Sequence, residues 1–148
     1  ADNKHVLLKI ENSNSYFIHV RRGDYLKENV KELYGNICTK EYYLKAINMV
    51  KKIDIHAIFF VFSDDISWVK ENLKLEDPIY IDWNIGIDSP IDMFLMSRCK
   101  GAIIANSTFS YWAARIGVKK KLIIHPSKWF NNHPSGNPDM FENDWITI

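Results

Sequence analysis

Residues 57–62 read AIFFVF, six apolar residues in succession. A strand with one wet face would alternate; an unbroken run of strand length belongs in a parallel sheet covered on both faces. Before it, residues 41–52 (EYYLKAINMVKK) set Tyr43, Ala46, Ile47 and Val50 at i, i+3, i+4 and i+7, an amphipathic helix. After it, residues 65–73 repeat helical spacing through Ile66, Val69 and Leu73, and PIYID (78–82) reads as a short strand. Ser89-Pro90-Ile91-Asp92 predicts a helix start, with Ser89 as cap, Pro90 at the first helical position and an acid at the third. Ile91, Leu95, Met96 and Cys99 then share a face, and Gly101 is expected to end that helix. AIIA (102–105) is a second buried strand. Ser107–Ile116 is a helix closed by Gly117, and LIIH (122–125) is the last strand. Upstream, KHVLLKI (4–10) suits the end of a helix and YFIHV (16–20) a strand. A polar loop is expected from Arg21 to about Thr39, turning at Tyr34-Gly35-Asn36.

Alternation of strands and helices calls for an α/β fold: a Rossmann-like, mainly parallel sheet with helices on both faces. The 148 residues suit a single domain (1–148), with the aromatic, turn-rich tail 126–148 packed over it. Two cysteines give neither a disulfide framework nor a zinc spacing, and fit a reducing compartment. A net charge of +1 exerts no global pull on nucleic acid, so anion binding must come from local placement of charge. No apolar run approaches the roughly 20 residues that span a bilayer, and the first residues do not read as a signal peptide. The chain starts at Ala1 and enters at once into KHVLLKI, as a piece of a longer protein would.

In open parallel sheets, ligands sit at the carboxyl ends of the strands. The segments after the strands are RRGDY, SDD, DWN, NSTFS and HPSKWF, so polar groups converge at one edge. In HVRRGDY (19–25), His19 and Arg21 share a strand face. An arginine at a strand end beside Gly23 is suited to grip phosphate bidentately, with Asp24 pairing to Arg21 or Arg22. The bland alternative is a surface ion pair. Arg22-Gly23-Asp24 also matches an adhesion tripeptide, which would require an exposed, mobile loop tip. Asp64 and Asp65 could suggest a divalent metal, but acids are also favoured at a helix start. Ser107, Thr108 and Ser110 stand at a strand-to-helix junction, where N–H groups and hydroxyls make an anion site or simply cap the helix. Asn106-Ser107-Thr108 matches a glycosylation sequon in what should be an interior crevice. No dinucleotide or P-loop glycine pattern and no nucleophile constellation occurs.

Taken in order, HVRRGDY, YGNICTKEYYLKAI, FFVFSDDISWVKENL, DMFLMSRCKGAIIANSTFSYWAA and HPSKWF resemble family 11 glycosyltransferases, the α-1,2-fucosyltransferases, especially bacterial ones. The resemblance runs from about Ser15 to Ile148. It implies transfer of fucose from GDP-β-L-fucose, with inversion and without a metal or other cofactor, to O2 of a galactose-terminated glycan. It also implies a two-domain GT-B enzyme, of which this chain is the C-terminal, donor-binding half, inactive without its N-terminal half. By position, Arg21 matches the arginine on the β-phosphate and is the catalytic residue. His19 and Asp92 match contacts to the guanine nucleoside, and Ser107, Thr108 and Ser110 the phosphate-side loop. Arg22, Gly23, Asp24, Asp64 and Asp65 are taken as supports. A cytoplasmic location, free or peripheral at the inner face of the membrane, goes with this reading. The alternatives are a glycan-binding or adhesion module using Arg22-Gly23-Asp24, or another sugar-nucleotide transferase. One departure stands out: the family usually has Trp-Trp-Gly after this serine-rich segment, where this chain has Tyr111-Trp112-Ala113-Ala114.

Overall fold

A computed structural model describes residues 3–148. In chain order it contains α1 (Asn3–Glu11), β1 (Asn14–Val20), α2 (Glu28–Tyr34), α3 (Lys40–Ile53) and β2 (Ala57–Ser63). There follow α4 (Ile66–Asn72), β3 (Ile79–Ile81), α5 (Ser89–Arg98), β4 (Gly101–Ile103), α6 (Thr108–Arg115), β5 (Leu122–His125) and β6 (Ile146–Thr147). The strands form one sheet in the order β3-β2-β1-β4-β5-β6, parallel throughout. The expected α/β class with a mainly parallel sheet is therefore what the chain adopts.

The unbroken apolar runs are used as the parallel sheet requires. Phe59 and Val61 join Tyr16, Ile18 and Val20 under α3 and α4. Phe60 and Phe62 join Phe17 under α1, α5 and α6. Each fully buried side chain of this size contributes about 1.5–3 kcal/mol, so both faces hold the strand. α3 buries Tyr43, Ala46, Ile47 and Val50 as its spacing predicts, and Tyr42 with them. Thr39 caps it, its hydroxyl accepting from the Tyr42 N–H. Among the described residues no helix is long and apolar enough to cross a membrane.

Four local expectations change. The segment after β1 is not all loop: it holds a 3-10 turn (Asp24–Leu26) and α2. Ser89 does not cap α5. A 3-10 turn (Gly86–Asp88) runs straight into the helix, leaving Ser89 at helical φ −56° and ψ −30° rather than the extended geometry of a cap. Gly101 opens β4 instead of ending α5, which stops at Arg98. The tail is not only packing, because Ile146–Thr147 adds a strand beside β5.

Gly101 is there because β1 leaves no room. A Cβ at this position would lie 2.2 Å from Tyr16 ring carbons, and Tyr16 is itself buried. Gly101→Ala should cost about 1–3 kcal/mol in urea unfolding. Gly86→Ala, with nothing within 4 Å but a φ of +61°, should cost less, about 1 kcal/mol.

Candidate functional site at the carboxyl edge of the sheet

The strand order changes direction across β1 and β4, where a crevice opens at their carboxyl ends. β1 pairs with β2 so that His19 stands beside Phe62 and Val20 beside Ser63. The segments after both strands therefore begin at one level. Asp64 exploits this: its carboxylate accepts from the backbone N–H groups of Arg22 and Gly23, each at 2.9 Å. A Cβ on Gly23 would approach Asp64 Oδ2 to 2.9 Å. Gly23 has an ordinary φ of −51°, so the glycine serves this close approach and not an unusual turn.

The arginines diverge from the turn. Arg21 pairs with Asp24 through Nη2, and its Nε lies 3.7 Å from Asp64 Oδ2. Asp24 also meets Lys27 Nζ at 3.3 Å. Arg22 pairs with Asp65 at 3.4 Å, and its guanidinium lies 4.2 Å from the centroid of the Trp68 ring. Asp65 caps α4, accepting from the Trp68 N–H at 3.1 Å. The two adjacent acids thus divide their work, one bracing the turn and the other capping a helix. Among the described residues no group of three or more His, Cys, Asp or Glu could hold a metal ion. Arg22-Gly23-Asp24 is tethered, although Gly23 is exposed: Arg22 is held by Asp65 and Trp68, the Gly23 N–H by Asp64, and Asp24 pairs with Arg21.

Arg21 lines three adjoining clefts, of which one, about 280 Å³, runs past Tyr25 and Tyr34 to Asn36, and two bring the candidate site residues together. One of these two, of about 290 Å³, also contains His19, Asp64, Asn84, Asp92 and Phe109. His19 is buried, and its Nδ1 has no hydrogen-bond partner among the described residues. Burial, reinforced by the nearby Arg21 charge, pushes the imidazole down to about 3, so it is neutral at pH 7. Asp92 is no capping partner of Ser89: its carboxylate accepts from Asn84 Nδ2 at 2.7 Å. Burial raises it to about 6, against the lowering effect of that hydrogen bond. Asn84 is in turn bonded to Asn3, whose Oδ1 also accepts from the Trp83 indole.

The other cleft, of about 390 Å³, contains Arg21, Tyr25, Asn106, Ser107, Thr108 and Trp129. Ser107 caps α6, accepting from the Phe109 N–H at 3.3 Å, and Thr108 is exposed. Ser110 has no exposed surface, and its hydroxyl bonds to the backbone of Ala105 and Ser107. Asn106 is buried, its amide donating to the carbonyls of Tyr34 and Trp129, so the sequon asparagine is inaccessible. Tyr25, which the sequence reading passed over, donates to the Asn106 carbonyl at 2.8 Å. Asn84, Phe109 and Trp129 line the clefts and were not singled out either, although each stands in a segment that follows a strand.

The sequence model of the family described as Glycosyl transferase family 11 matches residues 2–148. An O-antigen biosynthesis glycosyltransferase of Escherichia coli, WbnK, is 34% identical over 148 residues, covering 97% of this chain and 48% of that protein. An alpha-1,2-colitosyltransferase of Escherichia coli is 36% identical over 143 residues, 92% of this chain and 48% of its own. The galactoside alpha-(1,2)-fucosyltransferase 2 of Mus musculus is 30% identical over 99 residues, 66% of this chain and 28% of its own. The chain spans about half the length of the two bacterial relatives.

Removal of the Asp64 carboxylate should loosen the turn behind Arg21. In Asp64→Ala the Arg22 and Gly23 amides should exchange with solvent about tenfold faster or more, read by NMR hydrogen exchange. Asp65→Ala should instead loosen the first turn of α4 and leave those two amides protected.

Proposed function

The chain belongs to glycosyl transferase family 11, and on that premise we propose that it is the donor-binding half of an α-1,2-fucosyltransferase of the GT-B type. Its donor is GDP-β-L-fucose and its acceptor a galactose-terminated glycan. The observation that carries the reading is Arg21 standing between two clefts of unlike chemistry. On one side, neutral His19 and the Asp92 carboxylate line a cleft of nucleobase size. A carboxylate there can accept from the N1–H and the 2-amino group of guanine, a pair of donors that uracil and cytosine do not present together. On the other side, the start of α6 offers backbone N–H groups and the Ser107 and Thr108 hydroxyls to phosphate oxygens.

In the transfer, the galactose O2 attacks the fucose anomeric carbon as the bond from that carbon to the β-phosphate oxygen breaks. GDP leaves with the bonding electrons, and inversion follows from attack on the face opposite the leaving group. Negative charge grows on the β-phosphate, and a guanidinium already fixed by Asp24 and Asp64 stabilises that charge more in the transition state than in the ground state. No metal is needed in this scheme, because Arg21 and the α6 amides supply the positive field. The acceptor hydroxyl gives up its proton to a base as the new bond forms, and as the donor-binding half this chain alone should not turn over.

Calorimetry on the folded chain should show GDP binding in preference to UDP and CDP. Arg21→Ala should weaken GDP by about 10–100-fold, the value of hydrogen bonds to a charged group. No GDP binding, or binding indifferent to Arg21→Ala, overturns the assignment.

Asp92 also gives the binding a pH signature. Guanine's donors favour the ionised carboxylate, which in the free site titrates near 6. Affinity should hold above that pH and fall below it, by up to about tenfold per unit. Asp92→Asn should bind more weakly and lack this component. The phosphates titrate in both proteins, so the difference between the two profiles isolates Asp92.

A further inference from the structure

A larger groove lies beyond the phosphate side of Arg21, and it resembles neither the nucleobase cleft nor the helix start. It measures about 620 Å³ and runs between α2 with the following turn and the tail segment 128–137, lined by Lys31, Asn36, Lys128, Phe130, Asn131 and Asn132. Its two walls are joined: the Asn131 backbone N–H donates to the Leu33 carbonyl at 2.8 Å, and its side-chain amide donates to the Gly35 carbonyl at 2.7 Å. The groove is therefore preformed. Within it, the exposed side-chain amides of Asn36 and Asn132 make no hydrogen bond among the described residues. Both residues sit in the left-handed backbone region, at φ 56° and 48°. Amides there carry a donor and an acceptor on one short, stiff arm, the combination that suits adjacent hydroxyls.

A path of aromatic rings connects this groove to Arg21. Tyr25, in the cleft with Arg21, stacks on Tyr34 at 5.1 Å. Tyr34 meets Phe130 at 5.3 Å, and Phe130 stacks on His133 at 4.7 Å. Tyr34 and Phe130 are half-buried, so each keeps part of its ring open. Ring faces accept the C–H faces of pyranose rings, while flanking amides bond their edges. A cleft of about 280 Å³ lined by Arg21, Tyr25, Tyr34 and Asn36 follows the same path, so the groove is continuous with the Arg21 site.

We propose that this groove is a saccharide subsite, holding the sugar units of the acceptor next to the reacting galactose. The proposal rests on the reading of Arg21 as the phosphate grip, where the path begins. Its ligand class is a neutral, hydroxyl-rich oligosaccharide; Lys31, Lys128 and Glu32 add donors and an acceptor of both charges to the lining.

The test is an NMR titration of the isotope-labelled chain, first with GDP and then with lactose added to the GDP-saturated protein. GDP should shift the amides around His19, Arg21, Asp92 and Ser107. Lactose should shift those of 31–36 and 128–137. Asn36→Gly and Asn132→Gly remove the amides while keeping backbone angles that glycine adopts freely. Each should weaken lactose about tenfold, the value of a lost polar contact, and leave GDP affinity unchanged. Normal GDP shifts with no lactose shifts, with lactose shifts elsewhere, or with lactose binding unchanged by both variants, overturn the saccharide subsite and leave the nucleotide reading standing. Absence of GDP shifts overturns the nucleotide reading. In that case lactose shifts confined to the groove still support a saccharide site there, and their absence removes it.

Discussion

The geometry of the site depends on one carboxylate. Asp64 follows β2, yet it holds the backbone of the turn that follows β1. This is possible only because the two strands are parallel and in register at their carboxyl ends, Val20 beside Ser63. An antiparallel neighbour would bring its other end to this place. With Arg22 and Gly23 anchored by their N–H groups, the turn behind Arg21 is held, and the same Asp64 carboxylate lies 3.7 Å from Arg21 Nε. The ion pair with Asp24 holds the other end of the guanidinium. Its carboxylate is half exposed, where pairing alone contributes little.

Most of the fold could be read from the sequence because both faces of the sheet are buried. AIFFVF and AIIA have no wet face to satisfy, and the helices that cover them carry apolar stripes. The features that escaped have too short a stripe or depend on distant contacts. α2 (ENVKELY) spaces Val30, Leu33 and Tyr34 as a helix does, but it is seven residues long and none of the three is fully buried, so the period is too brief to stand out from the polar segment. β6 is two residues long and exists because the tail returns to β5. At Ser89 the local signal was sound chemistry for a cap, but the 3-10 turn ahead of it had already made the backbone helical.

The site was legible in position and less so in role. A parallel sheet brings the segments after its strands to one edge, and His19, Arg21, Asp92 and Ser107 do line adjoining clefts there. What the sequence does not carry is the direction of each side chain once it arrives. Asp64 and Asp65 are adjacent and chemically identical, yet one braces a neighbouring turn and the other caps its own helix. The Asp92 environment depends on Asn84 and, through it, on Asn3, some eighty residues away. Ser110, placed by its spacing among the hydroxyls at the helix start, has its oxygen turned back to the 105–107 backbone.

The departure at Tyr111 bears on the groove beside the tail. Tyr111 is buried, donates to the Met140 carbonyl at 2.9 Å and accepts from Arg115 at 3.0 Å. An indole N–H could make the first of these bonds but not the second. Arg115 also pairs with Glu142, so the hydroxyl ties α6 to the tail through both ends of one network. The Tyr111 ring meets Trp129, Phe141 and Trp145, and the Trp129 carbonyl accepts from the Asn106 amide at the start of α6. Ala113 and Ala114, by contrast, lie in the core under β1 and β4, where an added methyl meets packing rather than ligand. Tyr111 therefore acts on how the tail is seated. Because the tail supplies one wall of the amide groove, a change that touches neither cleft lining can still set the distance between Asn36 and Asn132.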